Sequence, residues 1–81
     1  MKIRMLYFSS LKKIAGCGAE EIEVGNGAKV SDAIEAVYTH HPAMRPQDAS
    51  LLIARNQQWC DRGEALADGD EIAMMPPVSG G

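Results

Sequence analysis

The chain has no run of about eighteen consecutive apolar residues, so no segment reads as a membrane-crossing helix and no membrane partner is expected. Met1-Lys2-Ile3-Arg4 leads into an alternating segment instead of the apolar stretch of a signal peptide, and a soluble cytoplasmic protein is the expectation. A basic stripe is missing as well. Eight Lys and Arg stand against eleven Asp and Glu, a net charge of -3, which argues against a nucleic-acid partner. Cysteine is scarce: Cys17 and Cys60 are far apart and form no CxxC or Cys/His spacing, so neither is expected to hold a metal or to act as a catalytic thiol. Repeats, low-complexity segments and internal linkers are absent.

The motifs of common enzymes are absent too. There is no GxSxG, no Walker-type phosphate loop and no HExxH. The carboxylates fall mostly on apparent strand exteriors, helix starts and turns, and one sheet with one helix leaves little room for a deep pocket. Asp68-Gly69-Asp70 lacks the remaining ligands of a calcium loop and reads as a tight turn. His40-His41 ends an apparent helix, where histidine meets the negative end of the dipole; adjacent helical residues point apart, so no shared metal is expected. Lys2, Arg4, Lys12 and Lys13 precede Glu20, Glu21 and Glu23. Such patches either steer a protein partner or simply solvate a surface.

What is present is a single domain of 81 residues with an ordinary apolar fraction of 46%. In "KIRMLYF", Ile3, Met5 and Tyr7 alternate with Lys2, Arg4 and Leu6, which predicts a half-buried strand. Ser9 or Ser10 is placed to cap a short helix, "LKKIAG", closed by Gly16. Glutamates and apolar residues alternate again in "AEEIEV", a second strand stopping at "GNG" and close enough to pair antiparallel with the first. Val30, Ile34, Val37, Tyr38 and His41 follow helical spacing, with Ser31 as N-cap, Asp32 and Glu35 near the positive end of the dipole, and Pro42 as the stop. A loop carrying Pro46 leads to "LLIAR", a buried strand with "QQWC" as its hairpin partner, and "EIAMM" is the last strand, entered through "DGD". This order predicts an α+β roll, the β-grasp, a mixed sheet with one main helix packed across one face and its first and last strands adjacent at the centre. The element order comes from pattern, the strand pairing from analogy.

The chain closes on "MMPPVSGG". Pro76 and Pro77 stiffen the exit from the last strand, Val78 offers one apolar anchor, and Gly80-Gly81 can enter a channel too narrow for any side chain. From Pro76 to Gly81 the extended reach is about 20 Å. The expected division is a domain over 1–75 and an extended reactive tail over 76–81. By itself this ending admits three roles: a carboxylate to be activated, a docking tail, or an inert end.

"KIRMLYFSSLKKIAG", "SDAIEAV", "ARNQQW" and "LADGDEIAMMPPVSGG" together resemble the small subunits of molybdopterin synthases, a family of ubiquitin-like sulfur carriers, over nearly the whole chain. The resemblance implies the ubiquitin-like β-grasp fold. It implies that an E1-like adenylating enzyme uses ATP to activate Gly81, that a sulfurtransferase or desulfurase supplies sulfur for a thiocarboxylate, and that Gly80 keeps the tail slim enough for the partner's channel. The tail then enters the large subunit of a heterotetrameric synthase and donates sulfur to cyclic pyranopterin monophosphate, where two transfers build the dithiolene of molybdopterin. On this reading the chain is half of a sulfurtransferase and its sulfur cosubstrate, not a catalyst alone, and it holds no permanent cofactor. Phe8, Met74, Met75, Pro76, Pro77 and Val78 are the expected partner-binding residues. Met74 and Met75 depart from the bulky or aromatic pair of many members, and one of them is expected to face outward because a strand needs only one face for the core. Two alternatives remain beside this reading: a thiamine-type sulfur carrier, and a ubiquitin-like modifier joined through Gly81 to a partner lysine.

Overall fold

The computed structural model describes residues 1–77. Alternation builds β1 (Lys2–Tyr7), in which Ile3, Met5 and Tyr7 are buried while Lys2 and Arg4 are exposed. Next comes α1 (Ser10–Ala15), which ends where Gly16 takes a left-handed φ of 76° and donates its N–H to the Lys12 carbonyl at 3.0 Å. The expected serine cap is not made. Ser9 occupies the N-cap position without a side-chain cap bond, and the Ser10 hydroxyl donates instead to Gln47 Oε1 at 2.9 Å.

β2 (Ala19–Glu23) pairs antiparallel with β1, setting Ile3 opposite Ile22 and Leu6 opposite Ala19. Its glutamates are not all exterior. Glu20 shares the face of Ile22, two residues on, and is half-buried.

α2 (Val30–His40) buries Val30, Ala33, Ile34, Val37 and Tyr38, the stripe its spacing predicts. Ser31 is not its N-cap. Lys29 holds that position, with its N–H donated to the Asp32 carboxylate at 2.8 Å. The N–H groups of Val30 and Ser31 donate to the carbonyls of Glu64 and Arg62, both at 2.9 Å. Orphan donors at the helix start are thus satisfied by a distant backbone segment, which removes the need for a serine there.

The segment around Pro46, expected as a loop, is a 3-10 helix over Pro42–Ser50 that buries Met44. Asp48 fastens it to its surroundings: the carboxylate accepts from the Tyr38 hydroxyl and from Arg62 Nη1 at 2.6 Å, and the Asp48 carbonyl accepts from Arg62 Nη2 at 2.8 Å.

β3 (Leu52–Arg55) and β4 (Gln58–Trp59) form a hairpin turned by Asn56 and Gln57, whose φ values of 51° and 70° make a tight two-residue turn. β5 (Glu71–Met75) enters through the Asp68-Gly69-Asp70 turn and runs parallel to β1 and antiparallel to β3. The turn's carboxylates are engaged by the protein. Asp68 accepts the Lys2 N–H at 2.7 Å, and buried Asp70 accepts from Arg55 Nε at 2.8 Å, Asn56 Nδ2 at 3.0 Å and the Ala67 N–H at 2.8 Å. The five-stranded sheet has the order β2-β1-β5-β3-β4, with the first and last strands adjacent at its centre as predicted. Ile3, Met5, Ile53, Ile72 and Met74 meet the buried stripe of α2 in a single core. No helix among the described residues is long and apolar enough to cross a membrane.

Candidate functional site

Because β1 and β5 are parallel, their C-terminal ends lie at the same edge of the fold, and the chain leaves β5 beside the end of β1. Adjacent residues of a strand face opposite ways. Met74 is fully buried in the core, whereas Met75 lies half-buried on the face away from α2. The expectation that both methionines belong to a partner-binding surface is therefore corrected: the core takes Met74, and Met75 is the outward one. Phe8 is exposed, Pro76 half-buried and Pro77 exposed. Val78, Gly80 and Gly81 lie outside the described residues.

The open face of the sheet is apolar where the strands end. Register sets Trp59 opposite Ala54, Ala54 opposite Ala73, and Ala73 opposite Leu6, one row across four strands. Leu52 lies opposite Met75 in a second row, with Phe8 just beyond the end of β1. Small alanines at the middle of the first row leave a trough between larger neighbours. It is a groove of about 420 Å³ lined by Leu6, Phe8, Ala54, Gln57, Trp59, Glu71, Ala73 and Met75. Phe8, Leu52 and Trp59 are 44%, 48% and 69% exposed, the exposed large apolar side chains among the described residues, and all three border this face. Concentration of exposed apolar side chains on one face marks an interaction surface. The sequence reading found Phe8 and Met75 but missed Trp59, Leu52 and Leu6. β4 has only two residues, too few for alternation to reveal which face Trp59 takes.

On the opposite side of β1, Glu20 Oε1 accepts from the Tyr7 hydroxyl at 2.5 Å and lies 2.7 Å from His41 Nε2. Burial pushes the Tyr7 hydroxyl far up from its ordinary value, and the hydrogen bond to Glu20 adds to the effect. Burial pushes the Glu20 carboxyl up, but the hydrogen bonds from Tyr7 and His41 outweigh it and leave the group below its ordinary value. His41 therefore serves as a link from the end of α2 to β2, while His40 is exposed. The two side chains differ in environment, His40 exposed at the last position of α2 and His41 half-buried at its non-helical C-cap.

Cys17 and Cys60 are both half-buried free thiols. Cys60 donates to the Ile53 carbonyl at 3.7 Å, and burial pushes its thiol up, which keeps it protonated at neutral pH. Neither sulfur joins the tail-exit groove lining.

A helix laid across one face of this mixed sheet, with the last strand running out beside an apolar open face, defines a ubiquitin-like β-grasp protein. The ThiS family model matches residues 5–81, and the chain belongs to the ThiS family. It is 37% identical over 83 aligned residues to the molybdopterin synthase sulfur carrier subunit of Chlamydomonas reinhardtii, covering 100% of both chains. It is also 38% identical over 82 residues to small archaeal modifier protein 1 of Haloferax volcanii, covering 91% of this chain and 94% of that one. The crystal structure of SAMP1 from Haloferax volcanii superposes with a TM-score of 0.89 at 32% identity, covering 100% of each chain.

Proposed function

We propose that this chain is a sulfur carrier acting as the small subunit of a molybdopterin synthase. The observation that carries the reading is the end-to-end similarity, 37% over 100% of both chains, to a protein named as that subunit. The apolar open face supports it, since a carrier must be recognised by an activating enzyme and by a receiving subunit through one surface near its tail.

The chemistry follows from the carboxylate of Gly81, a poor electrophile until activated. An E1-like enzyme transfers AMP from ATP to that carboxylate and releases pyrophosphate. The terminal sulfur of a persulfide carried by a sulfurtransferase or desulfurase displaces AMP to give an acyl disulfide, and a second thiol cleaves its S–S bond, forming a disulfide with that enzyme's sulfur and releasing the thiocarboxylate. The tail, beginning at Pro76, enters the large subunit and passes its sulfur to cyclic pyranopterin monophosphate, and water restores the carboxylate. Residues 1–75 bind and orient, with Phe8 and Met75 at the docking face and the two prolines aiming the tail. ATP is the activating enzyme's cosubstrate.

The test is intact-mass analysis after incubation with the adenylating enzyme, ATP and a sulfur donor. Replacement of one oxygen by sulfur is expected in the parent chain, and none in a variant lacking Gly81. Product formation at the parent rate without Gly81 would overturn the reading. The similarity to an archaeal modifier protein supports a second use of the same activated glycine, attachment to a partner lysine. A conjugate of higher mass in the same experiment would favour it.

A further inference from the structure

The cationic residues near the start of the chain separate in space. At one end of β1, Lys2 lies 3.9 Å from Glu21 and Arg4 3.9 Å from Glu71. Elsewhere Arg45 pairs with Glu35, Arg55 with Glu64 and Asp70, and Arg62 with Asp48. Among the described residues Lys12 and Lys13 have no carboxylate within ion-pair distance. Both are exposed in the last turn of α1, the helix that follows directly from the C-terminal end of β1.

That end is also where β5 delivers the tail, because β1 and β5 are parallel. The Lys12 side chain lies over Gly18, where an added Cβ would stand 3.4 Å from Lys12 Cε. Gly18 precedes β2, two strands from β5, so this chain segment starts about 10 Å from the tail exit by strand spacing. Carboxylates gather at the other end of β5, where Asp68, Asp70 and Glu71 surround its entry. In a chain of net charge -3, two cations without an ion-pair partner among the described residues therefore stand at the tail-exit end of the sheet, outside the lining of the apolar groove.

We propose that Lys12 and Lys13 form a recognition pair, and that the enzyme adenylating the tail presents Asp or Glu side chains to α1 while its apolar surface covers Phe8, Met75 and Trp59. The identity of that partner as the adenylating enzyme rests on the sulfur-carrier reading. Exposed ammonium groups next to an apolar contact act mainly on the rate and orientation of encounter. Over the roughly 10 Å Debye length at 0.1 M salt, the pair biases approach toward the tail-exit end.

The experiment measures association of the adenylating enzyme with the parent chain, with Lys12→Glu/Lys13→Glu and with Lys29→Glu, at low and high salt, alongside pyrophosphate release. The double variant is expected to associate about tenfold more slowly at low salt, with the gap closing at high salt. Lys29→Glu is expected to stay close to the parent, and thermal unfolding should be equal in all three. A double variant that associates at the parent rate, or a Lys29→Glu variant slowed as much per charge, overturns the recognition pair. Binding of the parent chain without pyrophosphate release counts instead against the sulfur-carrier reading, and absence of binding by the parent counts against both.

Discussion

Tyr7 and Met74 stand opposite one another in the parallel register of β1 and β5, both buried, so the residues that follow them, Phe8 and Met75, lie together at the tail exit. One pairing therefore joins the core to the docking face. It also separates the effects of two adjacent methionines.

Met74→Ala should cost about 2–5 kcal/mol of stability, the range for emptying a buried methionine site. Met75→Asp should leave thermal unfolding within a few degrees of the parent and weaken complex formation with the large subunit at least about tenfold. Paired unfolding and binding curves check both. Equal destabilisation by the two substitutions would contradict the division of faces.

Trp59 is the most exposed large apolar residue of the groove. Trp59→Ala should therefore fold normally yet lose about 2 kcal/mol of partner affinity, since buried aromatic anchors dominate interfaces. Calorimetric titration of the large subunit measures this directly. Unaltered affinity would restrict the docking surface to the end of β5.

Burial pushes the Asp70 carboxyl up, but hydrogen bonds from Asn56, the Ala67 N–H and Arg55 prevail and hold it at about 2. A carboxyl depressed in the folded state contributes stability above its unfolded value, and that contribution is lost as pH falls from about 4 through about 2. Asp70→Asn should cost about 1–3 kcal/mol at neutral pH and flatten the decline of stability across that window. Urea unfolding between pH 2 and pH 7 provides the comparison, and an unchanged acid limb would remove Asp70 as the cause.

Cys17→Ser and Cys60→Ser, singly or together, should leave thiocarboxylate formation at the parent rate. Cys60→Ser should lose some stability, because a half-buried thiol packed against the core is replaced by a hydroxyl. Loss of thiocarboxylate in a folded Cys17→Ser protein, read by intact mass, would mean the sulfur chemistry runs through a side chain.

Gly80→Val keeps the Gly81 carboxylate but adds a β-branched side chain that must pass the partner's channel. Sulfur transfer should fall by an order of magnitude or more while unfolding remains unaltered. A short tag appended after Gly81 should abolish adenylation outright. Single-turnover transfer assays beside unfolding scans give the split, and joint loss of fold and activity would deny the tail its separate role.

The amino-acid sequence by itself determined the elements whose signal is local. Alternation placed Ile3, Met5 and Tyr7 in the core, and helical spacing placed Val30, Ile34, Val37 and Tyr38 against them, because side-chain direction in a strand or helix follows from the backbone period alone. Phe8, the two prolines and the glycine ending were equally legible as a linear motif. Tertiary structure alone decided where polar groups found partners. The N–H groups opening α2 took carbonyls from Arg62 and Glu64 instead of a serine cap, Glu20 turned inward to Tyr7 and His41, and Lys2 met Asp68 across 66 positions of chain. Pairing likewise decided the groove: Trp59, Ala54, Ala73 and Leu6 form one row only after four strands align. A periodic pattern states which way a side chain points, but its neighbour across the sheet is set by the register of a strand far away in sequence.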